Sequence, residues 1–461
     1  MKAFIRVVAG VLLSVLLLTF SLWRYDAIPD FSGFVAFLED TGDRMQMLGE
    51  YQPQNLLTGA RPADQNGEFP EYEVSEPLDA DLETLICTAL QNCEESVSVA
   101  SFEKTPEEIK QAMTTVRFNH PELFYVDKSY TYSHELGRVT KLNFQYTASK
   151  AEVAAMTAEY NSMLQTIVAG APQQGTDFDK ALYIHDYFVK NFCYDYTYTI
   201  RDAYTFFKEK TGVCQAYMLA MIAVAEELGI ESIPVTSNRM NHAWNMVELE
   251  GAWYHVDITW DDTVSYPTYT SYRYFLQSDA GIIAIDAEQI DENMAVPDWH
   301  CDWSATEAAT DIRYDTAVWR GALTPMVKGG GAYHCAVTKS AGLSGVVGAV
   351  YSGSDPAEMT ERFTVNATWR LPGGTQYYVD CYTALAVWKN KLIYSTPNSL
   401  RSHDLTTGED RLLALLVEVA PGSIYGFTDL SEAGVLSYLV APTAEPEGED
   451  STVEIRTYQL P

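Results

Sequence analysis

Residues 241–262, NHAWNMVELEGAWYHVDITWDD, constrain the fold of this chain more than any other stretch. Glu250-Gly251 suits a two-residue hairpin turn between two runs rich in β-formers. A turn there pairs Leu249 with Ala252 and carries the register outward until Trp244 faces Asp257. His242 then becomes a diagonal neighbour of Asp257 on one face, about 7–8 Å away at the backbone and within reach of an imidazole–carboxylate hydrogen bond. An ordinary half-buried hairpin keeps ionisable groups on its wet face. A slip of one residue would send His242 and Asp257 to opposite faces, so the pair depends on the register.

A second stretch, GVCQAYMLAMIAVAEELG at 212–229, is apolar on nearly every face until Glu226 and ends on a glycine placed as a C-terminal cap. Such a helix belongs at the centre of its domain. Cys214 falls in its first turn, where the helix dipole and the free N–H groups favour a thiolate and can stabilise an oxyanion. Free cysteine is also a common small core residue, so the thiol needs a base to be read as a nucleophile. His242 supplies the base and Asp257 a group to orient it, which makes a Cys-His-Asp arrangement.

The motifs GVCQAY, NHAWNMV and WYHVDITWDD, in this order and at these separations, resemble those of the transglutaminase-like superfamily. KALYIHDYFVKNFCYD, ahead of the cysteine, is similar to that family's lead-in helix and its Tyr-Asp pair, here Tyr194 and Asp195. The resemblance covers 176–285, and the preceding PELFYV region with its long helix resembles the N-terminal partner of secreted bacterial members. It implies Cys214 as nucleophile, His242 as general base and Asp257 as orienting acid. One departure is Ala216, where the family often has glycine; this tightens packing without touching the chemistry. No counterpart of the calcium sites of the animal crosslinking enzymes is recognisable, so calcium dependence is not implied.

Neighbouring polar residues invite plainer readings. His255 faces Met246 in this register and reads as a packed histidine. Asp261 and Asp262 follow the strand and are expected to cap or solvate a loop. His185-Asp186 reads as a local structural hydrogen bond within the lead-in helix. Trp244 and Trp253 could wall a cleft, although aromatics on strands usually belong to the core.

Around this centre the chain divides by composition. Residues 1–24 place Lys2 and Arg6 before an apolar run from Val7 to Trp23, with acidic residues after it, which reads as a signal peptide or membrane anchor with the body outside the cytoplasm. The best small-x-small triplet, Thr19-Phe20-Ser21, is a poor cleavage site, which favours an uncleaved anchor. Proline-punctuated residues 25–80 read as an extended tether. Residues 81–175 read as an α+β domain, with a helix capped at Thr105-Pro106 and a hairpin across Gly137. Residues 176–300 form the catalytic domain, and 301–461 read as an all-β domain of blade-like meanders. The fold class is therefore α+β, with a papain-like or transglutaminase-like core in which a central helix packs on an antiparallel sheet.

With 63 acidic and 30 basic residues the net charge is −33, which repels phosphate backbones and excludes nucleic acid as a partner. None of the 7 cysteines is spaced C-x-x-C, so neither a metal nor a cofactor is expected. The expected function is thiol-dependent acyl transfer or hydrolysis at peptide or glutamine amides, at the cell surface, on a protein or peptide substrate. Hydrolysis stands slightly ahead of crosslinking. The rival reading is a catalytically idle, membrane-anchored scaffold whose C-terminal β repeats bind a protein or glycan partner.

Overall fold

A computed structural model of the chain describes residues 73–74, 79–172, 174–238, 240–262, 269–288, 300, 303–342, 345–369, 380–415, 422–442 and 454–461. All of them fall in one compact unit. The run from Val7 to Trp23, most of the tether and Cys301 lie outside the described residues. Among the described residues no helix is long and apolar enough to cross a membrane.

The N-terminal elements are strand β1 (Glu73–Val74), helix α1 (Ala80–Gln91), strand β2 (Ser96–Ser98), helix α2 (Pro106–Asn119), strands β3 (Val126–Glu135) and β4 (Arg138–Tyr146), and helix α3 (Lys150–Ala169). Helix α2 starts as its sequence dictates: Thr105 and Glu108 form a reciprocal capping box and Pro106 occupies the first turn. The β3–β4 hairpin turns through Leu136 and Gly137, both at positive φ, a conformation glycine adopts without strain. Leu82, Ile86, Ile109, Val116 and Leu142 fill a separate small core between α1, α2 and the β2-β4-β3 sheet.

The middle of the chain runs through α4 (Asp177–Asn191), β5 (Cys193–Tyr194), α5 (Ala203–Glu209), β6 (Thr211–Gly212), α6 (Cys214–Glu227), β7 (Ser232–Ser237), β8 (His242–Leu249), β9 (Ala252–Val256), α7 (Ile258–Asp261), β10 (Phe275–Gln277), α8 (Asp279–Glu288) and β11 (Trp303–Ala305). A six-stranded sheet has the order β1-β11-β7-β8-β9-β10. Helix α6 packs on β7 and β8, and every residue from Ala216 to Ala225 is buried. The absence of a polar face on this helix leaves it nowhere but the centre. Strands β8 and β9 pair Leu249 with Ala252 and Asn245 with Val256, the register that the Glu250-Gly251 turn predicts.

The remainder is mostly strand: β12 (Val327–Gly329), β13 (Ala332–Gly342), β14 (Gly345–Gly353), β15 (Thr360–Asn366), β16 (Leu385–Trp388), β17 (Lys391–Thr396), β18 (Ser399–Asp404), β19 (Asp410–Leu415), β20 (Gly422–Leu430), β21 (Val435–Pro442) and β22 (Glu454–Gln459). They form antiparallel meanders β12–β15, β16–β19 and β20–β22, joined where β16 touches both β12 and β20.

The division at residue 300 drawn from composition is crossed by shared packing. Trp319 and Tyr333 stack edge-on against Phe178 of α4. The Arg320 guanidinium donates to the carbonyls of Tyr272, Arg273, Phe275 and Leu276 around β10. Composition marks where the secondary structure changes, and these contacts show that the central core continues past that point.

Candidate active site

Cys214 is the first residue of α6, and the helix is capped by Val213, whose side chain accepts no hydrogen bond from it. The N–H groups of the first turn are among those a helix cannot satisfy internally. The loop before it is fixed by Asp195, whose carboxylate accepts from the backbone of Thr197, Thr199 and Ile200 at 2.8, 2.8 and 2.9 Å. Val213 N–H in turn donates to the Ile200 carbonyl at 2.9 Å. Tyr194 pairs with Gly212 in a short parallel ladder. The Tyr-Asp pair noted in the sequence thus frames the cysteine from behind.

Gly212 sits where this frame is tightest. A Cβ there would meet Phe206 Cδ2 at 2.6 Å and the Ala216 Cβ at 2.7 Å, both in the packed interior. Gly212→Ala is expected to cost about 1–3 kcal/mol, as overpacked core positions do. Because relief moves the N-terminus of α6, alkylation of Cys214 should slow as well; urea unfolding and iodoacetamide labelling of the same variant measure both. Unchanged stability and labelling would show that the frame yields freely.

His242 opens β8 and approaches the thiol from the sheet. Its Nε2–H donates to Asp257 Oδ2 at 2.5 Å, which leaves Nδ1 for the sulfur. The imidazole and the backbone N–H of Ala243 both act on the Cys214 thiol in the sense that favours the thiolate. Burial alone would raise the thiol pKa, but the His242 hydrogen bond and charge outweigh it and hold the thiol below its ordinary value. Burial likewise disfavours the imidazolium, yet the charge and hydrogen bond of Asp257 lift the His242 pKa to about 10. His242 also stacks on Trp244 and Trp260 at centroid distances of 5.5 and 5.2 Å, where indole faces favour a cation.

Asp257 leaves the β8–β9 ladder and caps the one-turn helix α7, its Oδ1 accepting from Trp260 N–H at 3.1 Å. Its Oδ2 accepts a second imidazole, His300 Nε2, at 3.0 Å. Although burial raises this carboxyl, His242 and His300 hold it well below the usual range. His300 was not singled out from the sequence, because no local pattern links it to the hairpin. It reaches Asp257 just ahead of β11, which pairs with β7 two strands from β9.

Four polar neighbours differ from or extend their sequence readings. Asp261 is fully buried and solvates no loop. It accepts from His185 Nε2 at 3.3 Å, Ser271 Oγ at 2.7 Å and Tyr274 N–H at 3.1 Å, because α7 turns it inward onto α4. Asp262 accepts the Tyr217 hydroxyl, and burial raises its pKa to about 6. His185 does bond Asp186, at 2.9 Å, and it bridges onward to Asp261. His255 pairs with Met246 as expected, accepts from Trp244 Nε1 at 2.9 Å and donates to Asp279 Oδ1 at 2.8 Å. Burial holds it below the ordinary histidine pKa, so it is neutral and structural. Trp244 is core, while Trp253 is only partly buried.

His242, Asp257 and His300 offer donor atoms within 4.8 Å of one another, close enough in principle for a metal. Both imidazoles direct Nε2 at the same carboxylate oxygen, so the cluster orients His242 through hydrogen bonds.

Residues 162–258 match the family model of the transglutaminase-like superfamily, a span that contains Cys214, His242 and Asp257. The match is to the transglutaminase-like core and falls on this segment of the chain. Among solved structures the chain is similar to a provisionally named cysteine protease from Cytophaga hutchinsonii, at 16% identity over 28% of this chain and 61% of that one, with a TM-score of 0.20. The chain therefore spans less than two thirds of that neighbour's length. No curated protein matches.

Proposed function

We propose that the transglutaminase-like core of this chain is a thiol-dependent amidase or acyltransferase acting on peptide or glutamine amides through Cys214, His242 and Asp257. The observation that carries this reading is a thiol at a helix N-terminus under the influence of His242, whose imidazole is itself fixed by Asp257 Oδ2 at 2.5 Å. The Cys214 thiolate attacks the amide carbonyl carbon, and the tetrahedral oxyanion is met by N–H groups of the first turn of α6. The His242 imidazolium passes its Nδ1 proton to the departing nitrogen as the C–N bond breaks, leaving a thioester. Water, deprotonated by His242, completes hydrolysis; an amine in its place gives a new amide. A cavity lined by Phe124, Thr199, Arg201, Gln215 and Leu219 lies beside the residue that follows the nucleophile and offers surface for a peptide chain. Hydrolysis is the favoured outcome.

The depressed thiol and the raised imidazole define when the reactive ion pair exists. Cys214 should be alkylated by iodoacetamide well below the pH at which ordinary thiols react, with a plateau that persists until His242 loses its proton at about 10. Cys93 and Cys193, more accessible than the buried thiols, provide internal comparison in the same sample. Screening peptide and glutamine-donor libraries with wild type and Cys214→Ala tests the activity itself: turnover should vanish in the variant. Turnover equal in the two proteins, or Cys214 alkylation with an ordinary thiol pH profile, would overturn the assignment and favour the scaffold reading.

A further inference from the structure

A second thiol–imidazole–carboxylate cluster, built from residues other than Cys214, His242 and Asp257, lies in the N-terminal core. We propose that Cys87, His120 and Glu122 form a site for one divalent transition-metal ion of the zinc type, separate from the thiol centre at Cys214. The ligands come from two segments. Cys87 lies on α1, one turn after Glu83 on the same face. His120 terminates α2, and Glu122 sits in the 3₁₀ turn Pro121–Leu123 that follows it.

The distances suit coordination. One donor atom from each of the three residues lies within 4.8 Å of the other two. His120 Nδ1 and Glu122 Oε1 are 3.2 Å apart. Two bonds of about 2.0–2.1 Å at a tetrahedral angle hold their donor atoms about 3.3 Å apart, so this edge is nearly formed. The other ring nitrogen, Nε2, faces Glu83 Oε1 at 3.4 Å, and that oxygen is fixed by Asn119 Nδ2 at 2.9 Å. Ligating histidines characteristically donate their second N–H to a carboxylate in this way. Gln91 Nε2 orients Glu122 from outside at 3.2 Å.

Charge and softness agree with the distances. A thiolate and a carboxylate neutralise a dication, and a sulfur–nitrogen–oxygen set prefers zinc or cobalt to magnesium or calcium. An entry path exists: a cavity of about 530 Å³ is lined by Asn119, His120, Glu122 and Tyr160. Three protein ligands leave a fourth position for water. The expectation of no metal rested on the missing C-x-x-C spacing, which tests for cysteine pairs close in sequence and is blind to ligands gathered from α1 and the end of α2.

Cobalt(II) is the probe. The full chain, solubilised in detergent, reduced and stripped of metal, should develop a thiolate-to-cobalt charge-transfer band that saturates at one ion per chain and is displaced by zinc. Cys87→Ser should abolish the band, while Cys214→Ala and Cys93→Ser leave it intact. Cys87 is buried, so its variant needs a circular dichroism check; Glu122→Gln, on the partly exposed side, is the second variant and should weaken cobalt binding about 10–100-fold. A wild-type chain without the band, a band lost with Cys214→Ala, or unchanged binding by folded Glu122→Gln would each overturn the proposal.

Discussion

Asp257→Asn should lower turnover steeply, toward the factor of about 10⁴ that the same change costs a serine-protease triad. The reason lies in the hydrogen bonds around the carboxylate. Oδ1 accepts from Trp260 N–H, while Oδ2 accepts from both His242 and His300. An asparagine has one donor end and one acceptor end. Either way round it sets an NH₂ group against a donor: against Trp260 N–H, or against two imidazole N–H groups. In the second orientation His242 is pushed to the tautomer that carries its proton on Nδ1, and the base is lost.

The electrostatic effect points the same way. The Asp257 charge by itself repels the neighbouring thiolate, but its larger effect is to hold His242 protonated, with a pKa of about 10, and the imidazolium in turn depresses the thiol. Without that charge the ion pair weakens, so the acid limb of Cys214 alkylation should move up in pH. Turnover, the alkylation profile and circular dichroism of the variant test the idea together. Near-normal turnover with an unmoved acid limb would remove Asp257 from the mechanism.

Asp261→Ala should instead be the most destabilising single change near the site, by about 3 kcal/mol, because it strips the buried His185 of one of its two carboxylates and leaves buried donors unpaired. His185, fully buried, is lowered by desolvation, but Asp186 and Asp261 raise its pKa to about 9, so it is cationic in the native protein. Removing Asp261 also strands the Tyr274 N–H and the Ser271 hydroxyl, since both donate to it. The sign of the pH dependence follows from the raised folded pKa. The stabilisation is complete below the ordinary histidine value and is lost as pH rises through about 9. The gap in urea stability between wild type and variant should therefore be widest near pH 6 and narrow above 9. A gap below 1 kcal/mol, or one that widens with pH, would contradict the assignment.

The hairpin register was legible because side-chain direction alternates strictly along a strand and a two-residue turn leaves one pairing. His242 and Asp257 follow from the turn alone, and Cys214 from an apolar helix with a thiol in its first turn. The capping residue at Thr105 was legible for the same reason: it reports on its own next three residues. His300, Asp261 and the cluster of Cys87, His120 and Glu122 were not. Their partners lie 43, 76 and 33 positions or so away, in segments with no common period. Only the closing of β11 onto β7, the inward turn of α7 and the packing of α1 on α2 bring these groups within bonding distance. Local rules fix what each segment becomes; which buried charges meet is decided by tertiary packing, since a charge taken out of water must find its partner among whatever elements the core places beside it.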